Sequence, residues 1–264
     1  MSKISTVTSN NNGGLVMKLT HASEKGMRPY QEDRLFVKRL KLTNDYGLFL
    51  VIMDGHGGDE VAQLCKDSLS AVIAKVTKNK KMIGLAEIQE VFKLLDEQTS
   101  EMYSGSTLSL VFISYRQKIV YVGLLGDSPV IIKDFDDQVI VSPEHNARTN
   151  LKERRAAIKR GACYSGGYIC EHPSGSGLQM TRSLGDREFK KILDRSPEVY
   201  TVNIGSKSFV ALLSDGVADP DHKSSDSMKS IILMIENGAS ATNLVKDALD
   251  RKTRDNATAI VWRK

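Results

Sequence analysis

The 264-residue sequence is poor in cysteine, with three, and has a single tryptophan. Cys65, Cys163 and Cys170 form an odd set with no CxxC spacing, which argues against a disulfide framework or a zinc site. They read as reduced thiols of an intracellular protein. No apolar run approaches the ~20 residues needed to span a bilayer, and Ser2 rather than glycine follows Met1, so no membrane association is expected. Asn256-Ala257-Thr258 matches a glycosylation sequon, but without a secretory signal the match carries no meaning. Neither sign of charge dominates: 37 Lys and Arg against 32 Asp and Glu leave +5. That excess is dispersed apart from 78–81 and 152–160, each best read as a solvated helix face. No aromatic pattern is interleaved with it, so nucleic acid is not an expected partner. A soluble, cytoplasmic monomer is the expectation.

What is present is an ordinary globular composition with a sharp alternation of strand and turn signals. Residues 1–13, rich in Ser, Thr and Asn, predict a disordered tail, and 14–264 a single domain. A strand is predicted from 15 to 21. The apolar run 48–53 predicts a buried strand that stops at Asp54-Gly55-His56-Gly57-Gly58, with Asp59 capping the helix that follows. Val61, Leu64, Cys65, Leu69, Val72, Ile73 and Val76 then mark one face of a helix, and Leu85, Ile88, Phe92, Leu95 and Met102 mark a second. Strands are predicted at 107–114, 119–125, 130–133 and 139–141, joined by connections short enough for antiparallel hairpins. A basic helix spans 150–160 and ends at Gly161. Residues 161–180, with Gly and Ser clusters, read as a mobile surface lobe. A strand at 209–213, two short helices near 228–236 and 241–251, and a last strand at 257–262 complete the chain.

Five turns share one arrangement, an acidic side chain beside an apolar strand: Glu32-Asp33, Asp54-Gly55, Gly126-Asp127, Asp215-Gly216 and Asp255-Asn256. Taken singly, such turns are common between strands. If the strand ends meet, several carboxylates share a small volume and raise one another's pKa unless a cation compensates them. An oxygen-only donor set selects Mg²⁺ or Mn²⁺ over zinc. Two such ions would clamp a phosphoryl oxygen and activate water. His56, next to Asp54, is placed to protonate a leaving oxygen.

The ordered segments Arg28-Pro29-Tyr30-Gln31-Glu32-Asp33, Met53-Asp54-Gly55-His56-Gly57-Gly58, Gly105-Ser106-Thr107, Gly126-Asp127-Ser128, Met180-Thr181-Arg182-Ser183-Leu184-Gly185-Asp186, Leu213-Ser214-Asp215-Gly216 and Asp255-Asn256-Ala257-Thr258 resemble the PPM/PP2C family of metal-dependent protein serine/threonine phosphatases. The resemblance implies an α+β fold, an αββα sandwich of two antiparallel β-sheets flanked by helices. It implies a metal centre in which Asp54 bridges two Mg²⁺ or Mn²⁺ ions, Glu32 holds one, and Asp215 and Asp255 hold the other. Gly55 would offer its carbonyl, and Asp127 matches the acidic residue that helps hold a third, weaker metal in some members. Asp33 would orient waters, Arg28 would grip the substrate phosphate, and His56 would be the general acid. The implied reaction is direct attack, on the phosphoserine or phosphothreonine of a protein substrate, of a water bridging the two ions, with no phosphoenzyme. Residues 144–178 correspond to the family's flap. Pro129 departs from the family pattern, which places Arg after Gly-Asp-Ser. Two other functions remain open: a catalytically silent phosphoprotein-binding or regulatory module, and a hydrolase of small phosphoesters.

Overall fold

A computed structural model describes residues 5–9, 17–219 and 225–264. The predicted strand start at 15 and 16 lies outside the described residues, as do 1–4 and 10–13 of the predicted tail. Chain order begins with β1 (Ser5–Ser9), β2 (Met17–Glu24), β3 (Arg34–Lys41), β4 (Tyr46–Met53) and β5 (Gly55–His56). Then come α1 (Glu60–Thr77), α2 (Leu85–Thr99), β6 (Gly105–Ser106), β7 (Leu108–Ser114), β8 (Ile119–Leu125), β9 (Val130–Lys133) and β10 (Val139–Val141). The middle of the chain holds α3 (Leu151–Lys159), β11 (Cys163–Ser165), β12 (Tyr168–Cys170), β13 (Leu184–Gly185) and β14 (Glu198–Asn203). Last are β15 (Phe209–Leu213), α4 (Asp215–Ala218), α5 (Ser225–Glu236), α6 (Ala241–Asp250) and β16 (Ala257–Arg263).

Two antiparallel sheets carry the architecture. One has the order β1-β2-β16-β15-β9-β10, the other β14-β8-β7-β4-β3. Their side chains sort by strand periodicity into separate layers. On β4, Phe49, Val51 and Met53 pack against α1 and α2 through Val61, Leu69, Ile73, Ile88 and Phe92. The alternate residues Leu48, Leu50 and Ile52 face the other sheet, meeting Val210, Leu212, Ile260 and Trp262. On β15 and β16 the remaining positions, Phe209, Ala211, Leu213, Ala259 and Val261, pack against α5 and α6 through Ile231, Ile235, Leu244 and Val245. Helix, sheet, sheet and helix therefore stack as four layers, each sheet buried on both faces. A slip of one residue in β4 would exchange its two apolar sets between layers, so register is strongly specified. Each fully buried Leu, Ile or Phe contributes about 1.5–3 kcal/mol.

Three expectations are corrected. The tail predicted to be disordered contains β1, which pairs antiparallel with β2 from Ser5↔His21 to Ser9↔Met17. Backbone pairing at a sheet edge needs no apolar composition, which the sequence reading had required of a strand. Asp59 sits at the start of α1 without a capping hydrogen bond, because its backbone is already helical and its carboxylate pairs with Arg34 instead. The lobe at 161–180 contains the β11–β12 hairpin, and a small core of Ala147, Ala157, Ala162, Ile169, Ile192 and Leu193 underlies it. Asn150 caps α3 by accepting from the Lys152 and Glu153 amides.

Candidate active site

The acidic turns meet at one end of the sandwich. Asp54 follows β4, Asp215 opens α4 at the end of β15, Asp255 precedes β16, Glu32 and Asp33 precede β3, and Asp127 follows β8. β4, β8 and β15 end there because polar, glycine-containing turns interrupt their apolar runs, and β3 and β16 begin there after polar turns. A cleft of about 530 Å³ is lined by Arg28, Asp54, Gly55, His56, Asp127, Asp215 and Asp255. Its other wall comes from the lobe, through Arg148, Gly166, Tyr168, Gly177, Leu178, Gln179 and Met180.

The turns are tied together by hydrogen bonds. The Glu32 amide donates to Asn256 Oδ1 at 2.7 Å, and Glu32 Oε1 accepts from the Gly58 amide at 2.7 Å. Asn256 Nδ2 also donates to the carbonyls of Lys25 and Tyr30. Asp33 Oδ2 accepts from Thr258 at 2.6 Å, whereas its buried Oδ1 finds no donor. Asp127 Oδ2 accepts from Asn146 at 2.6 Å. The Asp54 amide donates to Thr107 Oγ1, which gives that hydroxyl a structural role. Gly55 packs so tightly that a Cβ there would lie 2.6 Å from the Glu32 carbonyl oxygen, so only glycine fits.

Electrostatically this end is frustrated. Burial, then the charges of Asp215, Asp33, Asp255 and Asp127, push the Asp54 carboxyl well above its ordinary range. Burial and the charges of Asp127, Asp255 and Asp33 do the same to Asp215. Asp33 is pushed up to about 6 by burial foremost, and Asp127 is raised by burial as well. Buried carboxylates in this relation require protons or a cation.

Arg28 partly answers that charge. Its Nη2 donates to Asp255 Oδ2 at 2.6 Å, and Nη1 lies 3.9 Å from Glu32 Oε2. Among the described residues, no group of three or more His, Cys, Asp or Glu side chains is arranged to hold a metal ion as the chain stands. The donor chemistry nevertheless fits a hard cation: it is all oxygen, it opens onto the cleft from partly buried Glu32, Asp54, Asp215 and Asp255, and beside it lies the unpartnered Asp33 Oδ1.

His56 Nε2 lies 2.8 Å from Asp186 Oδ2, and Nδ1 has no protein partner. Ser183 also donates to Asp186, so its hydroxyl is occupied structurally. Sequence reading assigned no role to Asp186 or Asn256, although both stood inside quoted motifs. It also missed Arg148, whose Nη2 lies 3.0 Å from Asp219 Oδ2. Within the 180–186 motif, Arg182 forks onto the buried Glu153 at 2.7 and 3.0 Å and so ties the motif to α3. Burial would raise the Glu153 carboxyl, but Arg182 and Thr181 hold it below its usual range.

This arrangement can be set beside known proteins. The family model described as Protein phosphatase 2C matches residues 18–257. "Probable protein phosphatase 2C 52" of Oryza sativa subsp. japonica is 28% identical over 253 residues, covering 91% of this chain and 49% of the rice protein. The chain thus spans about half the length of that relative. The crystal structure of serine-threonine phosphatase 2C from Toxoplasma gondii superposes with a TM-score of 0.74 at 18% identity, covering 100% of this chain and 99% of that one. The catalytic domain of the serine threonine protein phosphatase PstP, solved with 2 manganese ions, gives 0.64 at 17% identity, covering 94% and 97%. The two structures share the four-layer fold. With the family model matching from β2 to the start of β16, the chain belongs to the protein phosphatase 2C family.

Proposed function

We propose that this protein is a metal-dependent protein serine/threonine phosphatase that hydrolyses phosphoserine and phosphothreonine by direct attack of water, without a phosphoenzyme. The observation that carries the reading is the meeting of Asp54, Asp215, Asp255, Asp127 and Arg28 around one cleft. Glu32, Asp54, the Gly55 carbonyl, Asp215 and Asp255 would hold two ions, Mg²⁺ or Mn²⁺, with Asp127 toward a third. Those ions would neutralise the carboxylates, polarise the phosphoryl group and supply an activated water near neutral pH. The manganese bound to the PstP domain supports this choice of ion.

The chain's own groups do the rest. Arg28 reaches Asp255 and Glu32 as the chain stands. With the carboxylates neutralised, its guanidinium is free to turn its planar fork onto phosphate oxygens. Asp186 commits His56 Nε2, which leaves Nδ1 as the position for delivering a proton to the departing Ser or Thr oxygen. Asp33, held by Thr258 through Oδ2, would orient water bound to the ions. The lobe wall of Gly166, Tyr168 and Gln179 would meet the peptide flanking the phosphosite. Two basic side chains of α3 and its C-terminal cap are used internally: Arg154 stacks on Tyr164, and Arg160 bonds the Ile192 carbonyl. Lys152, Arg155 and Lys159 remain exposed, for solvent or for acidic substrate sequence.

One observation favours a second reading, a silent phosphoprotein-binding module: no three ligands are pre-arranged among the described residues. Phosphate release from a phosphothreonine peptide decides between them. Turnover with Mn²⁺ or Mg²⁺ that stops with excess EDTA and in Asp54→Ala supports the phosphatase. A folded, metal-replete protein that turns over no phosphopeptide supports the module, and turnover of a small aryl phosphate alone supports a small-phosphoester hydrolase.

A further inference from the structure

Two of the three cysteines, far apart from the metal chemistry in kind, are brought together in the hairpin whose Gly166 and Tyr168 line the cleft. The β11–β12 hairpin pairs Cys163↔Cys170, Tyr164↔Ile169 and Ser165↔Tyr168, around a tight turn at Gly166 and Gly167, which take φ of +59° and +97°. Residues directly opposite in an antiparallel pair project to the same face, with Cα atoms about 4.5–5.5 Å apart, inside the span of about 4.4–6.8 Å that a disulfide bridges. The Cys170 sulfur already lies 3.7 Å from the Cys163 carbonyl oxygen. Cys163 is partly exposed and Cys170 is covered, which separates the two into an accessible and a sheltered thiol. Both are free.

The hairpin also matters to the cleft. Ile169 exchanges two backbone hydrogen bonds with Leu178, of 2.8 and 2.9 Å, and Gly166, Tyr168, Gly177 and Leu178 line the cleft opposite the carboxylates. Ile169 anchors this wall in the small core beneath it.

We propose that Cys163 and Cys170 are a peroxide-responsive thiol pair that closes to an intramolecular disulfide and staples the hairpin forming the substrate wall of the cleft. The Cys163 thiol gives up its proton and the thiolate attacks hydrogen peroxide; the O–O bond breaks, an S–O bond forms, and the departing hydroxide takes up that proton and leaves as one water. The Cys170 thiol then attacks the Cys163 sulfenic sulfur; the S–S bond forms, the S–O bond breaks, and a second water carries away the Cys170 proton. Two thiols lose two electrons and the peroxide gains them. Cys65 is the internal control: it is fully buried in α1, and burial pushes its thiol up to about 12.

The test uses the full reduced chain and does not depend on its being a phosphatase. After hydrogen peroxide, the protein is alkylated in denaturant and digested with trypsin. No Lys or Arg lies between 161 and 181, so both cysteines stay in one peptide ending at Arg182. The expected result is a 161–182 peptide lighter by two hydrogens and unalkylated, with Cys65 alkylated and dithiothreitol restoring both thiols. In Cys170→Ser, Cys163 should instead run on to sulfinic acid. Amide exchange across 164–169 should slow several-fold in the oxidised form. The proposal is overturned if both cysteines remain alkylatable, if they oxidise independently in wild type as in Cys170→Ser, or if exchange in the hairpin is unchanged by oxidation.

Discussion

The two ends of β4 carry the same side chain in opposite circumstances. Asp45, just before the strand, is buried and fully satisfied: it accepts from Ser114 Oγ at 2.6 Å, Gln117 Nε2 at 2.8 Å and the Tyr46 amide at 2.8 Å. Asp54, just after it, is half-buried at the cleft beside Asp215, Asp33, Asp255 and Asp127, and its carboxyl is raised well above the ordinary range. The same strand thus delivers one aspartate to a closed hydrogen-bond network and the other to a cluster of its own charge. The first is explained by folding alone. The second costs stability in the isolated chain unless protons or a cation compensate it, and that cost is the mark of a site rather than of the fold.

The largest effect should come from breaking the frustrated end. Asp54→Ala is expected to remove phosphatase turnover by several orders of magnitude while leaving the metal-free protein as stable as wild type or more so. Kinetics and denaturant unfolding of the same preparation check both halves. A pH titration of metal-free stability sharpens the contrast. The folded-state pKa values of Asp54, Asp215 and Asp33 are raised, Asp33 to about 6, so the folded state binds more protons than the unfolded one. Their contribution is therefore fully present below the unfolded carboxylate range near ~4 and is lost as pH rises through about 6 and beyond. Melting temperature without metal should fall across that window, and Mn²⁺ at pH 7.5 should recover it.

Breaking the satisfied end gives the opposite signature. Asp45→Ala leaves buried donors unpaired and should cost about 2 kcal/mol by urea unfolding, with turnover per folded molecule and metal affinity unchanged. Arg28→Ala should raise KM for a phosphopeptide about tenfold while metal affinity holds or tightens, since its competing contacts with Asp255 and Glu32 are gone. Smallest of all, Asn150→Ala removes the cap of α3 and should destabilise by about 1 kcal/mol without touching metal binding.

Periodicity made most of the sandwich legible. The alternation of Leu48, Leu50 and Ile52 with Phe49, Val51 and Met53 already carries the two buried faces, and β8, β9, β10 and β15 begin and end where their apolar runs do. The family resemblance supplied which acidic turns belong together, something spacing cannot show because the Glu32 and Asp255 turns meet through the β2–β16 pairing and the contacts of Asn256 and Arg28, across more than 220 residues. What escaped was polar and local to tertiary contacts. Asp186 reaches His56 across 130 residues, and Asn256 fastens three carbonyl and amide groups that no sequence window contains. β14, whose alternating Glu198-Val199-Tyr200-Thr201-Val202 lies on an edge, and β1, with no apolar face to announce it, were likewise invisible.

The most direct test is a calorimetric titration of the metal-free chain with Mn²⁺ at pH 7.5, beside Asp54→Asn and Asp45→Asn. If the carboxylate end is a two-metal centre, wild type and Asp45→Asn will bind two ions with release of protons, and Asp54→Asn will lose that binding. If wild type takes up no Mn²⁺, or if Asp54→Asn binds as wild type does, the carboxylates are not held for metal and this end of the sandwich is not a two-metal centre.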